Sequence, residues 1–140
     1  MLMSRKLLCA AYAVIAAVAL IATWSQNILF FHGGGSFLGF WQATKLSPAS
    51  RSITVDIALF LLAAAILMVI EARKHGVRFV WAYILGGFLV AISVAFPLFL
   101  IARELKLEKS GATELRQIDT ILLAVLATAT AAFTLWVDVF

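Results

Sequence analysis

The chain has 140 residues, 64% of them hydrophobic and 13% charged, with a mean hydropathy of +1.07. A soluble domain is nearer half apolar and a quarter charged, so this composition excludes a water-dissolved globular domain and points to lipid as the solvent. The formal net charge of +4 does not signal nucleic-acid binding, because the basic residues cap apolar runs and form no stripe interleaved with exposed aromatics.

The first apolar run, Leu7 to Trp24, follows Arg5 and Lys6. It is longer than the roughly 7 to 15 residues of a signal-peptide core and ends without a small-residue cleavage site. A retained transmembrane helix is predicted. Cys9, the single cysteine, lies within this run and can form no intramolecular disulfide. It reads as a small, lipid-facing thiol.

The next stretch, Phe30 to Trp41, contains His32-Gly33-Gly34-Gly35, the spelling of an esterase oxyanion hole. That device needs a G-x-S-x-G elbow on a strand-to-helix turn, and none occurs; Ser36 is followed by Phe37 and Leu38. Acyl transfer of that kind is excluded, and the glycines predict a hinge. Residues 36–46 then predict a short interfacial helix folded over the bundle mouth. Phe37, Phe40 and Trp41 share one face, Gln42 points away and Lys45 snorkels at the margin. Ser50 or Ser52 is expected to cap the following span.

Three further apolar runs cover residues 53–70, 79–102 and 118–137. With residues 7–24, they rise roughly 27 to 36 Å each at about 1.5 Å per residue, enough for the hydrocarbon layer. Backbone groups in lipid must bond internally, so each run is helix. The expected fold is all-α, an integral membrane four-helix bundle with a short interfacial helix in the first loop, in one domain over residues 1–140. Four crossings put the N- and C-termini on one side. Small residues that suit close helix contact recur at Ala13 and Ala17, at Gly87, Ala91 and Ala95, and at Ala124, Thr128 and Ala132.

Sidedness follows from basic residues. An inside N-terminus puts Arg5, Lys6, Arg73, Lys74 and Arg78 in the cytoplasm, against Lys45, Arg51, Arg103, Lys106, Lys109 and Arg116 outside. The count is nearly tied; the first helix and the dense Arg73 to Arg78 cluster favour cytoplasmic termini.

Asp56, Glu71, the turn Ala72-Arg73-Lys74-His75-Gly76-Val77-Arg78, Trp81, and the run Phe96-Pro97-Leu98-Phe99-Leu100-Ile101-Ala102-Arg103-Glu104-Leu105 carry a family likeness. Over roughly Leu7 to Leu107 the chain resembles a small bacterial membrane-protein family catalogued as domain of unknown function 2834. The resemblance implies a helical integral membrane protein and no activity, substrate or catalytic residue; the expected location is the inner (plasma) membrane.

Antiparallel tracking of four spans gathers Asp56, Arg103, Arg116 and Asp119 at one membrane face, with His32, Trp41 and Gln42 overhead. An acid at the depth of Asp56 is costly unless it finds a partner, and Arg103 is the expected one. Asp119 is explained by the dipole of its helix start. Pro97 removes the bond to the Ser93 carbonyl and predicts a kink there. The opposite face carries a basic rim, Arg73, Lys74 and Arg78, with Asp138 beside it and Glu71 and His75 spaced to pair across one turn. Trp24, Trp41, Trp81 and Trp136 read as interface belts. No metal or cofactor set is spelled out, since His32 and His75 lie at opposite faces.

The leading functional expectation is a non-catalytic membrane protein that associates with a larger membrane complex or a lipophilic small molecule, in contact with membrane lipid and compatible with homo-oligomers. The alternative is a small ion- or proton-coupled transporter or channel using Asp56. A third is an enzyme on a lipid or isoprenoid, with Asp56, His32 and Asp119 moving protons.

Overall fold

The computed structural model describes residues 2–107 and 113–140. Its elements are α1 (Arg5–His32), α2 (Phe37–Ala43), α3 (Pro48–His75), α4 (Val80–Gly86), a π-helical turn (Gly87–Ala91), α5 (Ile92–Lys106) and α6 (Gln117–Val139). A two-residue antiparallel pairing joins Leu2–Met3 to Thr113–Glu114. Four helical stretches are long and apolar enough to cross a bilayer: α1, α3, Val80–Lys106 and α6. The chain is a helical membrane protein, as its composition requires.

Local chemistry sets the helix starts. Ser4 caps α1 by accepting from the Leu7 N–H at 3.2 Å, and Ser36 caps α2 by accepting from Gly39 at 3.0 Å. α3 begins at Pro48, ahead of the apolar run, behind a capping box in which Ser47 and Ser50 each bond the other's backbone N–H. Ser50 therefore serves inside the first turn, and the expected cap at Ser50 or Ser52 moves to Ser47. The hinge works as anticipated: Gly34 takes φ 90. α2 folds back on the end of α1, where Phe40 meets the rings of Phe30 and Phe31 at 5.6 and 6.0 Å.

The third apolar run is where the architecture departs from expectation. Ala91 is extended, with φ −175 and ψ 142, and the chain reverses there. Tyr83 and Phe99 stack edge to face with ring centroids 5.8 Å apart, and a Cβ on Gly86 would lie 3.9 Å from that of Ala95. In one straight helix these pairs would be about 24 and 13 Å apart along the axis. Val80–Lys106 is thus a helical hairpin, with α4 and the π turn antiparallel to α5. The break falls at Ala91, shortly after Gly86 and Gly87, whose low helix propensity and small size weaken the helix and let the arms approach, and not at Pro97, which is buried within α5.

The hairpin packs between α1 and α3. Antiparallel to α5, α1 places Arg5 beside Leu107 and Trp24 beside Val90. Met68 and Ala72 of α3 form the core with Val77, Val80, Ile84 and Phe99. Every buried residue of α3 lies at or beyond Leu61, the level of the hairpin tip. Of the expected small-residue stripes, Gly87 and Ala95 are buried in the hairpin, while Ala16 and not its neighbours is buried on α1. The α6 stripe is exposed, and α6 has no buried residue. The link from α3 to α4 closes tightly, with Gly76 at φ 70 and Phe79 at φ 60; a left-handed Phe costs about 1–2 kcal/mol.

The reversal also relocates the chain ends. The C-terminal end of α6 lies beside Gln26, whose Nε2 reaches the Asp138 carbonyl at 3.5 Å. Gln26 is about 32 Å along α1 from Arg5. The expectation of both termini at one end is corrected: they stand at opposite ends of the molecule, because the third run returns to the end it came from.

A Cβ at Gly87 would sit 3.1 Å from Ile92 Cδ1 and 3.5 Å from Leu61 Cδ1. Gly87→Leu is expected to lower stability by about 1–3 kcal/mol through overpacking, while Leu89→Ala, on the exposed side, stays within about 0.5 kcal/mol. Thermal unfolding in detergent reads the difference.

Candidate functional site

Two polar features stand out, one at each end of the uneven bundle. At the open end of the hairpin, Arg103 Nε donates to Glu71 Oε2 at 2.5 Å and Nη1 donates to Glu104 Oε1 at 3.0 Å. His75 Nε2 lies 3.3 Å from the same Glu71 oxygen, the one-turn pairing that the spacing predicts. Tyr12 of α1 stands within electrostatic reach of Glu104 and Arg103. Arg5 Nη2 donates to the Leu107 carbonyl at 2.7 Å, while its Nε is buried without a partner.

The planar guanidinium explains why Arg103 holds this place. Its fork serves two carboxylates in different directions, which a lysine ammonium does not do with the same fixed geometry. The Arg103, Glu71 and Glu104 side chains are 27%, 15% and 14% exposed, so each charge has lost most of its water and relies on the others. The cluster ties α3 to α5 through these charge-assisted bonds.

The second feature is Asp56. It lies on the exposed surface of α3, about 8 Å beyond the level of Leu61 and the hairpin tip. Pro48, Arg51, Ser52, Val55 and Leu59 flank it along a shallow open groove. Arg51, the nearest cation in sequence, turns its Nη1 to the Lys45 carbonyl at 2.9 Å. Among the described residues, the Asp56 carboxylate has no hydrogen bond or ion pair.

The cluster anticipated from four antiparallel spans does not assemble. Asp56 shares its end with His32, Trp41 and Gln42, all exposed. Arg103, Arg116 and Asp119 lie at the other end, where α5 finishes and α6 starts. The Asp56–Arg103 pair is corrected to Glu71–Arg103–Glu104, because the hairpin brings the end of α5 to the end of α3 and not to its beginning. Asp119 sits in the first turn of α6, as its dipole role predicts. Arg116 flanks that start, its carbonyl accepting from the Thr120 N–H at 3.1 Å.

Arg73, Lys74 and Arg78 form an exposed rim around the α3–α4 turn as expected, but Asp138 is across the molecule from them. Pro97 is buried and Ser93 exposed, with the sharp break six residues before the proline. Glu108 and Lys109 lie outside the described residues. Among the described residues no group of three His, Cys, Asp or Glu side chains is placed to hold a metal ion. Sequence reasoning missed Glu104, Arg5 and Trp24. The available signal for Trp24 was its place directly before the polar segment Ser25 to Asn27.

The profile of a family described as "Protein of unknown function DUF2834" matches residues 11–105. No curated protein and no solved structure matches the chain.

Arg103→Gln is expected to lower the melting temperature in detergent, since it strands two carboxylates at once. Glu71→Gln should cost less, because Glu104 still serves the guanidinium. A double-mutant cycle between positions 71 and 103 should give a coupling clearly different from zero, and the same cycle between Asp56 and Arg103 should give none.

Proposed function

The chain belongs to the DUF2834 family, whose description carries no activity, and from its geometry we propose that it works by association inside the bilayer of a cell's plasma membrane. The partner is a second membrane helix that packs on the Pro48–Phe60 half of α3 and brings a hydrogen-bond donor or cation to Asp56. No catalysis is part of this reading.

The observation that carries the proposal is the bare carboxylate. α3 rises about 42 Å, longer than the roughly 30 Å hydrocarbon layer. Asp56 stands about 22 Å from Glu71 along it, so a layer whose edge lies near Glu71 takes Asp56 several ångströms inside the opposite edge. An ionised acid at such a depth is expensive and calls for a partner. This chain supplies none among its described residues.

Packing supports the same conclusion. Ile53, Val55, Ile57, Leu59 and Phe60 of α3 are between 48% and 62% exposed, above the hairpin tip. α6 is unburied along its whole length, and its centre, Ala127 to Ala132, consists of alanine and threonine. Small residues in a membrane helix leave room for another backbone to approach.

Native mass spectrometry of a mild membrane extract tests this. Wild type should carry a bound protein, another copy of the chain included, and Asp56→Leu should lose it while keeping its helix content and melting temperature as an isolated chain. A wild-type species at the bare 15.2 kDa of one chain overturns the proposal. The same uncompensated carboxylate also favours a second reading, proton-linked transport. Its signature is a pH-dependent flux in liposomes that Asp56→Asn abolishes.

A further inference from the structure

We infer that the chain crosses the bilayer three times, with Val80–Lys106 as a re-entrant hairpin, and that the hairpin enters and leaves on a basic, cytosol-facing surface built to meet anionic lipid headgroups. This inference is independent of any partner at Asp56.

Length is the first ground. Val80–Ala91 has 12 residues and Ile92–Lys106 has 15, so the two arms rise about 18 and 22 Å, each short of a hydrocarbon layer of roughly 30 Å. The combined run is long enough to span only if it were straight, and it is folded in two. The hairpin also stops short of its neighbours. Its tip, marked by the bond from Trp24 to Val90, falls about 12 Å below the end of α1 at His32.

Backbone chemistry is the second. Irregular backbone at membrane depth is tolerated where protein encloses it. Phe88, Leu89 and Val90 point their side chains outward, while Gly87 is buried under Leu61, Ala91 is half-buried, and the Trp24 indole donates to the Val90 carbonyl at 3.2 Å, so protein covers the turn from the α1 and α3 sides.

Charge is the third ground, and it assigns the side. With the hairpin in place, Arg5 and Lys6 share one end of the molecule with Arg73, Lys74 and Arg78 of the α3–α4 turn. Arg103, Lys106 and Arg116 join them where α5 ends and α6 begins. The other end holds Lys45 and Arg51. A count that was nearly balanced for four crossings becomes eight to two among the described residues. Basic residues near span ends set orientation toward the cytosol, and they draw anionic headgroups.

The experiment uses single-cysteine variants in a Cys9→Ser background, probed with a membrane-impermeant maleimide on intact cells. Lys45→Cys and Phe140→Cys should label from outside, and Lys74→Cys and Lys106→Cys only after permeabilisation. Four crossings would instead group Phe140→Cys with Lys74→Cys and Lys106→Cys with Lys45→Cys, which overturns the hairpin. External labelling of Lys74→Cys and Lys106→Cys with protection of Phe140→Cys overturns the cytosolic assignment. In nanodiscs, phosphatidylglycerol should raise the melting temperature over phosphatidylcholine, and a variant combining Arg73→Gln, Lys74→Gln and Arg78→Gln should lose that rise. Equal melting in the two lipids for wild type overturns the headgroup role.

Discussion

The structure depends on one constraint, that a backbone surrounded by hydrocarbon must find every hydrogen-bond partner within protein. Where the chain turns back at Ala91 the helical ladder cannot supply them all. α1 meets that need: it lies along α5 and lends the Trp24 indole to the Val90 carbonyl. The absence of a side chain on Gly87, the close fit of Leu61 over it and the long α1 that outreaches the hairpin all follow from housing that turn. Trp24 thus serves as an internal brace.

The unequal height of the parts sorts the charged residues into two kinds. Below the tip, α3 is covered, and Glu71 pairs with His75 and with Arg103, which also holds Glu104. Above it, α3 is exposed, and among the described residues Asp56 has no such company. The two acids lie on one helix, fifteen positions apart. Their difference comes from where a neighbouring hairpin ends, not from their own chemistry.

Much of this was legible from the residues. The apolar runs located the helical stretches, the glycines and the shared face of Phe37, Phe40 and Trp41 placed the short helix after α1, and the Glu71–His75 spacing gave a real contact. The reversal was hidden because hydropathy records solubility in lipid and is blind to direction: a run of 24 apolar residues suits one crossing or two half-crossings equally. Two traces of it were present. Gly86 and Gly87 stand adjacent in mid-run, and the basic residues refused to sort to one side. Once the direction of α5 was mistaken, Arg103 was assigned to the wrong acid, since partner choice between distant helices depends on topology and leaves no local mark. Asp56 stands out in the sequence by its expected depth, and the partner expected for it, Arg103, lies at the far end of its own helix.

The pairing of α1 with α5 also fixes an order of events at the ribosome. α1 is complete at His32, yet its companion ends at Lys106, about seventy residues later. At roughly 5–20 residues per second the first helix waits on the order of 4 to 15 seconds before its mate exists. During that interval the indole of Trp24 has no carbonyl to meet, and the nascent helix relies on lipid or the insertion machinery for company. The polypeptide is therefore a case in which the earliest segment made is among the last to settle.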